Sequence, residues 1–217
     1  LPRFLYLMKH VPEECPILVS NDSFTSKYFG LLPEAQQKRL LRWPGPGTVF
    51  KANRVYIANE GPYCYTSLSN PFTAGISTHF HPTVVSLVRE TFANQQPPRA
   101  PSSSSLKVII IQPEAGTFPA YADHNALVKE LELVNNVTTT VFTGVGTLRE
   151  HIELFSHADI VIGPHGTGFT NLVFCKPGTG VIEIGWDGKA EKEMDNMYYR
   201  LAMGLSLRYR LVIGKGE

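Results

Sequence analysis

The sequence has little of several things that would decide its class quickly. Its three cysteines, Cys15, Cys64 and Cys175, lie far apart and form no C-x-x-C pair, so no zinc site is expected. One disulfide with a spare thiol and three reduced, buried thiols are both compatible with that spacing. An excess of one charge is missing too: 20 Lys and Arg stand against 19 Asp and Glu, a formal net charge of +1. Nothing in that balance would draw nucleic acid or an anionic membrane surface. No stretch approaches the roughly 18 consecutive apolar residues of a membrane-spanning helix, and the first residues carry no signal-peptide pattern. Asp-x-Asp, the usual carboxylate clamp on a metal-bound diphosphate, does not occur. Nor do G-K-[ST], G-x-G-x-x-G or G-x-S-x-G, which counts against an NTPase, a dinucleotide-dependent dehydrogenase and an α/β-hydrolase.

What is present is enough apolar material for real cores, 43% hydrophobic and 11% aromatic in 217 residues. That length is long for one domain and short for two full ones. The strongest shift in composition is Asn94–Ser105, rich in Pro and Ser and without an apolar anchor until Leu106. It reads as an exposed linker or a surface loop, dividing a lobe over 1–94 from a second over 106–217, with 95–105 between them. Before it, Ile17–Ser20 reads as a strand, and Ser26–Leu32 as a helix with a polar one following Pro33 to about Leu41. Val49-Phe50 and Val55-Tyr56-Ile57 are strand candidates, and a helix starts near His81-Pro82, with Val84, Val85, Leu87, Val88 and Phe92 on one face.

After Leu106 the pattern turns regular. Lys107–Ile111 is a continuous apolar run, as in a parallel strand covered on both faces. A helix over about 123–134, a strand over 138–143 and a helix capped by Thr147 and running to Ser156 follow. Ile160–Ile162, a glycine-rich turn, helical spacing from Phe169 to Cys175 and Val181–Ile184 make the next unit. A helix over about 191–205 and a strand over 208–213 close the chain. Strand and helix alternate five times with short connections, which predicts an α/β fold with a doubly wound, largely parallel sheet. Ligands of such sheets sit at the carboxyl ends of the strands, which here means the turn after Ile162.

That turn is Gly163-Pro164-His165-Gly166-Thr167-Gly168. Glycines there can serve a tight turn or let backbone N–H groups approach an anion at a helix N-terminus. His165 can bond a phosphate or sugar hydroxyl, take up a proton near neutral pH, or hold the turn through a backbone carbonyl. Thr170 and Asn171 fall in the first turn of the following helix and can offer donors to the same anion, or be ordinary first-turn residues. Glu183 interrupts an apolar strand, where a carboxylate needs a partner; a ribose diol or a nearby Lys or Arg would serve. His79 and His81, with no third ligand, read as surface residues, and Asp187 and Glu193 as solvated ones. No metal site is expected.

The stretch from His157 to Ile184, HADIVIGPHGTGFTNLVFCKPGTGVIEI, resembles the signature of family 61 glycosyltransferases: a strand, a G-P-H-G-[AT]-G-x-T-N turn and a distal V-I-E in that order. A weaker likeness runs along the rest of the chain. The resemblance implies two Rossmann-like lobes in a GT-B-like arrangement, with the donor nucleotide on 106–217 and the acceptor on 1–94. It implies transfer of a sugar of the xylose, arabinose or N-acetylglucosamine class from a UDP-sugar to a glycan or protein hydroxyl, with inversion and without a metal or other cofactor. His165 would be the catalytic residue. Gly163, His165, Gly166, Thr167, Gly168, Thr170, Asn171 and Glu183 would hold the donor.

One departure stands out. Members of that family carry arginines just after the strand matching Lys107–Ile111, whereas residues 112–125 here hold no Arg or Lys. Arg149 and Lys176 are the candidate replacements, and a domain that binds without turnover is the alternative reading. The chain begins at Leu1 rather than Met, so an excised luminal domain of an anchored Golgi or endoplasmic reticulum protein is expected. Two N-x-[ST] sequons, at Asn21 and Asn136, are compatible with that location.

Overall fold

The computed structural model describes residues 2–19, 21, 23–56, 64–65, 76–77, 82–93, 105–112, 124–187 and 197–215. The expected linker over 95–105 lies outside them except for Ser105, as do His79, His81, Glu193 and most of the stretch after Ile111.

Five strands form one all-parallel sheet: β5 (Leu106–Ile111), β6 (Val137–Phe142), β7 (Ile160–Pro164), β8 (Gly180–Asp187) and β9 (Arg208–Lys215), in the order β6-β5-β7-β8-β9. The continuous apolar runs are explained by burial on both faces. In β5, Ile109 and Ile111 join the larger core while Val108 and Ile110 point to the other side, the two-residue period of a pleated strand. The second face is covered by α5 (His124–Glu132) through Leu127, Val128 and Leu131. The first carries α6 (Leu148–Ser156), a 3-10 helix η1 (Thr167–Phe174) and α7 (Met197–Gly204). The expected α/β class and doubly wound sheet are both present.

Thr147 caps α6 as its sequence suggests. Its hydroxyl accepts from the Glu150 N–H, and Glu150 Oε2 accepts from the Thr147 N–H at 2.6 Å, a complete capping box. The Thr147 N–H, and after it the Thr147 hydroxyl donating to the same carboxylate oxygen at 2.9 Å, pull the Glu150 carboxyl below its ordinary value. The unit after Gly166 departs from expectation: it is a 3-10 helix, not an α-helix. Phe169, Leu172 and Cys175, three apart, are all fully buried, which is the eclipsed ridge of a three-residue turn.

The N-terminal part contains α1 (Pro2–His10), β1 (Ile17–Val19), α2 (Ser23–Phe29), α3 (Glu34–Gln37) and β2 (Leu40–Arg42). β1 and β2 pair in parallel, Ile17 opposite Leu40, so this is a small βαβ unit. The helix expected from Pro33 to Leu41 thus stops at Gln37. Good helix formers continue to Arg39, but pairing of Leu40–Arg42 with β1 outweighs a local preference of tenths of a kcal/mol per residue. Val49-Phe50 and Val55-Tyr56 are not strands; they run without regular structure and are largely exposed, and Ile57 lies outside the described residues. Two short strands, β3 (Cys64–Tyr65) and β4 (Ile76–Ser77), pair antiparallel.

The helix α4 (Pro82–Ala93) forms as its spacing predicts and ties this part to the large sheet. Val85, Val88 and Phe92 are buried in the same core as Phe155, Leu172 and Leu201. The Phe92 ring meets Phe174 edge-on at 6.0 Å. Arg89 Nη2 donates to the carbonyls of Cys175 and Leu205, at the ends of η1 and α7, where orphan carbonyls need a cation or donor. Cys15 and Cys175 are free thiols, and burial pushes the Cys175 thiol up to about 12, which makes it an inert core residue.

Candidate active site

The strand order reverses between β5 and β7: from β5 the chain steps outward to β6, then crosses back to β7 and onward to β8 and β9. In open α/β sheets this switch point leaves a crevice at the carboxyl ends of the strands. A cavity of about 440 Å³ opens there, bounded by Ile111 and Gln112 after β5, Phe142 and Thr143 after β6, and Pro164–Gly168 after β7.

His165 stands at the exit of β7, its backbone N–H bonded to Ile184 O. Its Nδ1 lies 2.5 Å from Glu183 Oε1, and the other carboxylate oxygen accepts from the Tyr209 hydroxyl at 2.5 Å. The Glu183 side chain is 2% exposed against 16% for His165. A buried carboxylate with a donor on each oxygen is compensated for its lost hydration. The Tyr209 hydroxyl is driven far above its ordinary value, first by burial and then by its bond to Glu183 and that charge; it remains a proton donor. The ring of Tyr198, from α7, packs against His165 at 5.1 Å. Where Nδ1–H is donated to the carboxylate, a neutral imidazole carries its lone pair on Nε2.

Glu183 therefore faces His165 and Tyr209, not the cleft, and both its oxygens are engaged within the protein. Sequence reasoning placed it on a ribose, or opposite a Lys or Arg. It missed Tyr209 altogether, because parallel pairing of β8 with β9 is what brings residues 183 and 209 together.

The glycines divide into two kinds. A Cβ on Gly163 would come within 2.6 Å of Ile111 Cβ, and one on Gly168 within 2.6 Å of Ile111 Cγ2. Both are required so that the turn can close over the end of β5. A Cβ on Gly166 would meet only Pro164 O, at 3.9 Å, and Gly166 lines the cavity as the N-cap of η1. The fold alone does not demand glycine there, whereas a ligand approaching the first N–H groups of a helix would.

Thr170 and Asn171 also line the cavity, but Thr170 Oγ1 donates to Thr167 O at 2.7 Å and Asn171 Nδ2 to Gly168 O at 3.0 Å. They brace the turn from within. Thr167, exposed, completes the rim. Neither proposed replacement for the missing arginines reaches the cleft. Lys176 Nζ binds Asp159 Oδ1 at 3.0 Å, at the amino end of β7, and Arg149, exposed on α6, is not among the residues lining the cavity. Lys27, on α2, does line the cavity. Among the described residues no group of three His, Cys, Asp or Glu is placed to hold a metal ion, and no helix is long and apolar enough to cross a membrane.

The doubly wound parallel domain thus has its crevice at the switch point, with a carboxylate-held histidine beside a glycine turn. A family model for glycosyltransferase 61 matches residues 1–182, and the chain belongs to that family. Glycosyltransferase activity, with a donor and an acceptor substrate, is what this membership supports. No curated protein matches the chain.

Proposed function

We propose that the domain transfers a sugar from a UDP-sugar to a hydroxyl of a glycan or protein, with inversion at the anomeric carbon and without a metal. The observation that carries this reading is His165, held by the buried Glu183 at the mouth of the switch-point cleft. The acceptor hydroxyl would give its proton to His165 Nε2 while its oxygen bonds to the anomeric carbon. The bond from that carbon to the diphosphate breaks in the same step, and its electron pair leaves with UDP. Attack opposite the leaving group inverts the centre. Glu183 stabilises the imidazolium that forms, and the N–H groups at the start of η1, bared by Gly166, face the departing diphosphate. The donor side is taken to be the large sheet and the acceptor side residues 1–94, a GT-B-like division to which the parallel β1–β2 unit lends support. A Golgi or endoplasmic reticulum lumen is the proposed setting, supported by the exposure of both sequon asparagines, Asn21 and Asn136.

Titration calorimetry with UDP tests the donor seat: saturable binding is expected, and no heat at millimolar UDP would sink it. One observation favours a second reading, binding without turnover: Arg149 and Lys176 are both absent from the cleft lining. UDP binding together with undetectable UDP-sugar hydrolysis and undetectable transfer to a glycan array would select that reading.

A further inference from the structure

A nucleoside diphosphate brings two to three negative charges into the cleft, and a fold that releases it must compensate them. Residues 112–125 supply no Arg or Lys. Among the described residues lining the cavity there is no carboxylate, and the one Lys or Arg side chain is Lys27.

The placement of Lys27 follows from the packing of α2. Its neighbour Tyr28 is 8% exposed and meets the Phe92 ring at 6.3 Å, and Phe29 meets Phe4 at 5.0 Å. Arg42 Nη1 donates to Ser26 Oγ at 2.8 Å, fixing the same helix from β2. With Tyr28 and Phe29 anchored in the core, the exposed Lys27 is left on the side of α2 that borders the cleft. Among the described residues its ammonium has no ion-pair partner.

We infer that Lys27 is the cation that seats the donor diphosphate, so that the donor site is completed by the N-terminal part of the chain rather than by the large sheet alone. The inference rests on the UDP-sugar reading above. It places the compensating charge on α2, opposite the turn at Gly166–Gly168, instead of after β5. A lysine is a compact point charge on a flexible stem, and it suits a diphosphate whose charge grows as the sugar departs.

Calorimetry with UDP and with uridine, on the whole chain and on Lys27→Gln and Lys27→Arg, tests this. Because Lys27 is exposed, unchanged melting of both variants is expected. Lys27→Gln should weaken UDP about 10- to 100-fold, the size of one charge-assisted contact, and flatten the salt dependence of UDP affinity. Uridine affinity should not move, and Lys27→Arg should retain most of the UDP affinity. If the parent chain binds UDP and Lys27→Gln binds it within about twofold, the inference fails and the donor seat stands. If the parent chain does not bind UDP, the donor seat fails and the inference with it.

Discussion

The two ends of the five-stranded sheet each hold a shielded carboxylate, and they use it differently. At the amino end, Asp159 accepts from the Lys107 N–H with one oxygen and from Lys176 Nζ with the other. Its partners are a backbone group and a side chain about 29% exposed, and the Lys176 pair ties the start of β7 to the approach to β8. At the carboxyl end, Glu183 accepts from Tyr209 on one side and from His165 on the other. Here one partner is a titratable ring on a cavity. The same motif, a carboxylate with two donors, closes the structure at one end and holds a histidine at the cavity at the other. What separates them is where the sheet reverses its strand order, because only the carboxyl rim offers a crevice.

Glu183→Gln should break that contrast most severely. The amide keeps the shape and can still accept from His165, but no charge remains to support an imidazolium. A drop of roughly 10²- to 10⁴-fold in kcat is expected with UDP affinity unchanged, read by transfer kinetics beside calorimetry. Loss of UDP binding in step with activity would instead make Glu183 a donor ligand.

The glycines sharpen the comparison within the carboxyl rim itself. Gly168→Ala must push Ile111 aside and should cost about 1–3 kcal/mol in denaturant unfolding. Gly166→Ala should leave unfolding unchanged and weaken UDP, since the added methyl has room in the protein and none beside a diphosphate. Equal destabilisation by both would remove the distinction between a packing glycine and a ligand-facing one.

The smallest effect belongs to the amino end. Asp159→Asn retains an acceptor for the Lys107 N–H and loses only a partly exposed ion pair. It should cost under about 1 kcal/mol and leave UDP affinity and kcat as they were. A change in either would mean that the two ends of the sheet are coupled.

Much of the large sheet was legible in the sequence because its inner strands β5, β7 and β8 pack on both faces and read as short, nearly unbroken β-branched runs. Thr147 with Glu150 three residues on was legible for a similar reason, since a capping box is purely local. The N-terminal part was less so. Leu40–Arg42 follows good helix formers and is a strand only because β1 is there to pair with it. Val49–Ile57 has strand-like residues, and the described ones among them pair with nothing. The 3-10 character of η1 was hidden because residues three apart satisfy an α-helical pattern as well; the run Phe169, Leu172, Cys175 was the available signal.

The site divides along the same line. Its location after β7, its glycine turn and its histidine were set by the sequence alone, because a strand, a turn and a helix follow one another along some fifteen residues and need no distant partner to be recognised. Which glycines pack and which one stands open to the cavity was decided by Ile111, more than fifty residues upstream. The partners of Glu183 were decided by strand pairing, which set Tyr209 beside it. The lysine at the cleft was decided by the docking of α2 onto α4. Each of these depends on side chains far apart in the chain meeting across a packed core, and local pattern carries no information about such meetings.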